Sequence, residues 1–302
     1  MHAHSRHRKS TALFFDRRSL AWHNGPMSAI RGARERAREE VTTAIKEEAR
    51  RQLAVEGPTR LSLRAVAREL GMVSSALYRY FPSRDDLLTA LIIDAYDAIG
   101  AASEAALAEV GDADPIERWV SVCRAARDWA VDHPHEYALV YGSPVPGYAA
   151  PADTVAPAAR VALALVTVVR DAYRTGRLTA PGDAMLAAPV RADAGRLASE
   201  IAPELPFTTV AALVAAWAQV FGLVSFEVFG QFNRVVEAPG PFFDLAAATL
   251  ATHVGIRPAA SRATRAPTVV PFLAPSESTG TGSSESFPEK AAEPLGAHLP
   301  SE

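Results

Sequence analysis

Between residues 61 and 88 the chain reads LSLRAVARELGMVSSALYRYFPSRDDLL, and its outward polar side chains share one chemistry. Ser74, Ser75, Tyr78 and Arg79 fall at the start or on the outer side of one short helical stretch, with Arg64 and Arg84 on its flanks. Hydroxyls and guanidiniums donate hydrogen bonds to anionic oxygens, and a helix start adds unpaired N–H groups and a positive dipole end suited to phosphate. Against duplex DNA such groups contact the backbone, while short side chains at a helix start reach base edges in the major groove. A plain surface hairpin of helices, with ordinary solvated arginines, is the competing reading.

The elements that must hold these groups follow from the apolar spacing. Leu63, Val66, Ala67 and Leu70 form one face of a two-turn helix, expected over 62–69 with Ser62 as its cap. Gly71 supplies a positive φ that stops it, and Met72-Val73 make a short turn. A second helix is expected over 74–80, capped by Ser74 and burying Leu77 and Phe81. Two short helices joined by a three-residue glycine turn form a helix-turn-helix. Ser83, with Asp85 and Asp86 in the next turn, and Asp114 before Pro115 are further helix starts.

The segment TRLSLRAVARELGMVSSALYRYFPSRDDLL, with the amphipathic stretch ARERAREEVTTAIKEEARRQLAVEG before it, resembles the DNA-binding region of tetracycline-repressor (TetR) family transcriptional regulators. The Ser62 cap, Val66-Ala67, Leu70-Gly71 and the Leu77-Tyr78-x-Tyr80-Phe81 run stand at that family's spacing. The resemblance implies phosphate contacts from Tyr78 and Arg84, Arg84 standing where lysine is usual. It places Ser74, Ser75 and Arg79 at the groove and Ser62 and Arg64 at the flanking backbone, with Tyr80 where histidine is common. It implies a homodimeric regulator on a pseudo-palindromic double-stranded DNA operator, the recognition helices about one DNA turn, roughly 34–36 Å, apart. A small-molecule inducer in the C-terminal half would then set the release from DNA.

Beyond this segment the pattern is helical and alternating strand patterns are nearly absent. Helices are expected over 31–55, 84–108, 115–132, 135–140, 155–175, 183–202, 207–236 and 241–254. The fold class is therefore all-α, an N-terminal three-helix DNA-binding domain followed by a helical ligand-binding and dimerisation domain. Organised pattern begins near Met27, so 1–26 is expected to be a disordered or non-native extension, with 27–80 the helix-turn-helix domain and 81–256 the second. Residues 257–302, with 7 Pro, 7 Ser and 3 Gly in 46 positions and no apolar period, are expected to be a disordered tail.

In the second half Trp119, Trp129, Tyr137, Tyr141, Tyr173, Trp217, Phe221 and Phe226 fall on helices that could line a pocket; each taken singly is equally a core residue. Glu227, amid an apolar run, is a candidate polar anchor. The stretches 133–154 and 217–232 are similar to actinobacterial TetR regulators with a Trp…His-Gly signature. Trp217 and Gly222 match it, and Phe221 stands where the histidine would be. The excess of apolar positions over 207–236 argues for packing on two sides. By resemblance, 207–236 and 241–254 pair with a second subunit as a four-helix bundle.

Composition narrows the alternatives. The 302 residues are 49% hydrophobic with a net charge of −3, enough for a core. Residues 1–95 hold 17 Lys and Arg against 11 acids, and the remainder 14 against 23, so the basic surplus lies at the front. One cysteine, Cys123, leaves no intramolecular disulfide and reads as a small buried apolar group. No apolar run is expected to reach the ~18 residues of a membrane span, 155–169 being cut by Pro157 and Arg160, and the expected location is cytoplasmic, at the nucleoid. GSPVPG lacks the G-x-S-x-G spacing, His133 and His135 lack partner ligands, and no glycine-rich phosphate loop exists. No cofactor, metal or enzymatic activity is therefore expected; a DNA-binding regulator without an inducer remains open.

Overall fold

A computed structural model describes residues 26–183 and 186–258 of the chain. Among them are ten α-helices: α1 (Pro26–Glu56), α2 (Leu63–Glu69), α3 (Ser74–Leu77), α4 (Arg84–Val110), α5 (Pro115–Asp132), α6 (Pro134–Tyr141), α7 (Val155–Arg174), α8 (Ala188–Ile201), α9 (Phe207–Val228) and α10 (Pro239–Val254). The only pairing of extended backbone among the described residues is a single antiparallel bridge, Leu178 to Ile256. The expectations for 1–25 and 259–302 lie outside the described residues.

Two apolar clusters organise the chain. In the head, Ile45 and Leu53 of α1, Val66 and Ala67 of α2, Leu77 of α3 and Leu87 of α4 close one core. The larger cluster is built around α5, whose Trp119, Val122 and Cys123 are buried, and it draws on α4, α7, α9 and α10. Burial pushes the Cys123 thiol far up, which leaves it an inert apolar group.

Helix ends follow local chemistry. Ser62 Oγ accepts from the Ala65 N–H at 3.4 Å, Ser83 Oγ from Asp86 N–H at 3.1 Å, and Asp114 Oδ1 from Ile116 N–H at 2.9 Å. Gly71 has φ +64 and ends α2. The cap of α3 differs from expectation: Val73 holds that position with no side-chain bond, and Ser74 is the first helical residue. The α-helix also ends at Leu77 rather than Tyr80. Beyond it the turn tightens, with Tyr80 N–H bonded to Leu77 O at 2.8 Å, and Pro82 lacks the N–H a further turn needs.

Other boundaries shift for similar reasons. α8 starts at Ala188 rather than 183, with a proline in its first turn. α9 stops at Val228 rather than 236, where Gly230 takes φ +80 and the chain folds back through a Phe232 N–H bond to Phe226 O.

Ala152–Arg174 and Phe207–Val228 are long and apolar enough, by length and composition, to cross a membrane, against the expectation that no run was. Pro157 and Arg160 lie within the first without preventing this. Both are core helices of this fold: α7 buries Leu165, Val168 and Val169, and α9 buries Leu213, Val220 and Val224.

α4 and α7 cross closely at Gly100, where an added Cβ would lie 2.6 Å from Arg160 Cβ. The Arg160 stem is fixed there, because its guanidinium bonds Asp97 and Glu104 of α4. Gly100→Val is therefore expected to lower the free energy of unfolding by about 1–3 kcal/mol through overpacking, measured by denaturant titration.

Candidate nucleic-acid interface and internal cavity

The head's outer face is built by what its inner face buries. Val66, Ala67, Leu77 and Phe81 point into the core, which turns Arg64, Arg68, Ser74, Ser75, Tyr78 and Arg79 outward; all six are exposed, Tyr78 at 41%. Arg68 faces Glu69 at 3.6 Å, whereas Arg64 and Arg79 have no ion pair among the described residues and remain available cations. Ser62 is half-buried and occupied as the α2 cap. With α3 only four residues long, its dipole contributes little, and anion affinity rests on the side chains.

Two predicted contacts are partly committed elsewhere. Arg84 Nη2 donates to Pro58 O at 2.6 Å and its Nη1 to Asp85 at 3.2 Å, so its guanidinium stitches the start of α4 to the α1–α2 connection. The half-buried Tyr80 ring lies under the Arg38 guanidinium of α1, 5.3 Å from its centroid, a contact worth about 0.5–1 kcal/mol.

The second site is a cavity of about 900 Å³ walled by α4, α6, α7, α8, α9 and the loop between α6 and α7. Of the aromatic residues singled out from sequence, Tyr141 and Trp217 line it. Phe221 stands behind them, stacked on Tyr141 at 4.2 Å and edge-on to Trp217 at 6.0 Å. Phe221 thus gives the two lining rings an apolar platform. Tyr137 is buried and stacks on Tyr141, its hydroxyl donating to Phe221 O at 3.1 Å and meeting Ser225 Oγ at 2.8 Å.

The rest do not line this cavity. Trp119 is solid core, Trp129 stacks on His133, Tyr173 is exposed, and Phe226 is 53% exposed on the outer side of α9. Helical spacing assigns an aromatic residue to a core-facing stripe but does not say whether that stripe meets space or another helix. Glu227 is no pocket anchor either: its carboxylate takes both Arg127 Nε at 2.7 Å and Nη2 at 2.5 Å, joining α9 to α5.

Sequence reasoning missed Tyr96 of α4 and Tyr148 of the α6–α7 loop, both of which line the cavity. Tyr148 and Thr89 of α4 share a hydroxyl hydrogen bond at 2.9 Å, and the Tyr96 hydroxyl donates to Val140 O at 3.3 Å. Their sequence signal was weak, since one lies in a proline-broken loop and the other is the lone aromatic residue of the helix expected over 84–108. Leu139 and Val145, also lining residues, are buried members of the head's own core.

Burial dominates the titration of these phenols. It pushes Tyr137 up to about 12, Ser225 pulling the other way, and raises Tyr96 and, much further, Tyr141. They are hydrogen-bond donors at neutral pH.

The description "Bacterial regulatory proteins, tetR family" matches residues 45–91, and "Tetracyclin repressor-like, C-terminal domain" matches 119–250. The HTH-type transcriptional regulators Mb1846 of Mycobacterium bovis and Rv1816 of Mycobacterium tuberculosis H37Rv are each 42% identical over 234 residues, covering 74% of this chain and 97% of theirs. The crystal structure of regulatory protein SCO4313 is 33% identical with a TM-score of 0.58, over 72% of this chain and 97% of that one. Head and cavity thus belong to a helix-turn-helix DNA-binding regulator of transcription. The chain is a member of the TetR family.

Two outcomes follow. Arg84→Ala should lower stability by about 1–2 kcal/mol in denaturant titration, because the Pro58 carbonyl loses its charged donor. A free tyrosine ionises near pH ~10, so the unfolded chain gives up a proton that folded Tyr137 keeps until about 12. Stability is unaffected below the lower value and falls as pH rises through that window. Tyr137→Phe should flatten the fall, read as the denaturant midpoint against pH.

Proposed function

We propose that the chain acts in the cytoplasm, at the nucleoid, as a homodimeric repressor that leaves its operator when a small apolar molecule fills the cavity. What supports release by a ligand is the double role of Leu139 and Val145, at once wall of the cavity and core of the head. An occupant that shifts α6 or the following loop changes the packing that holds α1, α2 and α3. Tyr148 adds a polar tie from the loop to α4, one turn past the Arg84 end.

What supports the dimer is the outer groove of α9 and α10. Phe226, Phe242 and Leu245, the last 68% exposed, line it with Leu223 and Gly222 between them. This is the region expected from sequence to pair, although α9 ends earlier. An exposed apolar groove between two antiparallel neighbours is what a four-helix bundle covers. The Arg127–Glu227 and Arg124–Asp244 pairs brace its back against α5.

On the operator, Ser74, Ser75 and Arg79 lie at the groove, Tyr78 and Arg64 on the phosphates, and Tyr80, Ser62 and Arg84 chiefly hold these in place. The test is a gel shift with the DNA upstream of the chain's own gene. Arg79→Ala should weaken binding at least several-fold and lower the slope of log affinity against log salt by about one; Tyr78→Phe should weaken it less. Leu245→Asp should give a monomer by sedimentation and lose operator binding with the helix-turn-helix still folded. Unchanged affinity in Arg79→Ala, or tight binding by a monomer, would refute the assignment.

A further inference from the structure

The cavity's chemistry narrows its occupant beyond "small and apolar", an inference that rests on the ligand-release reading above. Among the described residues that line it, none is Asp, Glu, Lys, Arg or His. An ionised ligand seated among these walls would lose part of its hydration and meet no counter-charge, which is unfavourable. At about 900 Å³ the space lies at the upper end of small-molecule pockets, roughly 300–1,000 Å³, so one aromatic ring would leave it largely empty.

The polar atoms present are unevenly satisfied. Tyr148 is paired with Thr89, Thr154 donates to Pro151 O at 2.8 Å, and Tyr96 donates to Val140 O. The Tyr141 hydroxyl makes no hydrogen bond to any described residue, and the Trp217 indole N–H is buried without a partner. Both sit against the Phe221 ring, at one aromatic end of the wall. Indole N–H can only donate, and a protonated phenol donates most readily, so two donors wait with no acceptor. Of the two, the phenol oxygen keeps reachable surface on the cavity side, so a ligand that supplies an acceptor there gains a hydrogen bond that the protein leaves unmade.

We propose that the cavity takes an uncharged, mainly apolar molecule bearing a carbonyl oxygen, as in a ketone or ester, which accepts from the Tyr141 hydroxyl. Carboxylates, phosphorylated carriers and quaternary ammonium compounds are poor ligands for it. The apolar body lies along the aliphatic walls of α7 and α9, where Leu163 and Val214 reach solvent at the rim.

The experiment is calorimetric binding of a matched dodecyl series to the full-length protein at pH 8, below micelle-forming concentrations. Dodecyl methyl ketone should bind at least about tenfold more tightly than dodecanoate or dodecyltrimethylammonium, and about fivefold more tightly than dodecane. Tyr141→Phe should remove most of the ketone's advantage over dodecane and leave dodecane unchanged, which a general loss of folding would not do. A ketone that binds no better than the carboxylate or the ammonium, or does not bind, overturns the proposal. A parallel gel shift separates the two readings. Ketone binding with the operator still held leaves the ligand class standing and refutes release; release driven only by the carboxylate refutes the ligand class.

Discussion

The structure depends on one shared piece of apolar packing. Leu139 at the end of α6 and Val145 in the loop after it are buried among Leu53 of α1, Leu63 of α2 and Leu88 of α4, although they belong by sequence to the second half of the chain. Close-packed interiors transmit displacement because they have few voids to absorb it. The opposite face of the same segment is cavity wall. Head and cavity are therefore two surfaces of one packed layer, not two bodies joined by a linker. A domain boundary drawn at residue 80 from sequence follows the chain but not the packing.

Ion pairs fix the orientation of that layer more than they stabilise it. Asp94 of α4 takes Lys46 at 2.8 Å and Arg50 at 2.6 Å from α1, and Arg50 also faces Glu136 of α6 at 3.7 Å. Partly exposed pairs such as these contribute roughly 0–1 kcal/mol each. Their value lies in direction, since they set the angle at which α1 crosses α4 and α6. The less exposed Arg127–Glu227 pair does the same work behind α9, with the Arg127 guanidinium also 5.8 Å from the centre of the Phe243 ring.

The head was legible because each local signal agreed with its neighbours. Ser62, Gly71, Leu77 and Phe81 each have one physical reading, and together they define a helix-turn-helix whose exposed residues follow by subtraction. The fine points failed where two readings compete: a serine beside a valine left the cap of α3 in the wrong place, and Arg84, exposed by spacing, found Pro58 O, which is distant in sequence. The cavity was less legible. Trp119, Tyr141 and Trp217 are alike in composition and period, yet the first fills space and the others border it. Glu227 looked unpartnered because Arg127 lies a hundred positions away. Such pairings are set by tertiary geometry, which local pattern does not encode.

Native-state hydrogen exchange tests the shared layer most directly. Val145→Ala removes apolar contact from the head's core without touching a DNA-facing residue. If the layer is one cooperative unit, amides of 63–81 and of 134–148 should lose protection together and by similar free energies. A change confined to the loop around residue 145, with the helix-turn-helix amides as protected as before, would contradict the account.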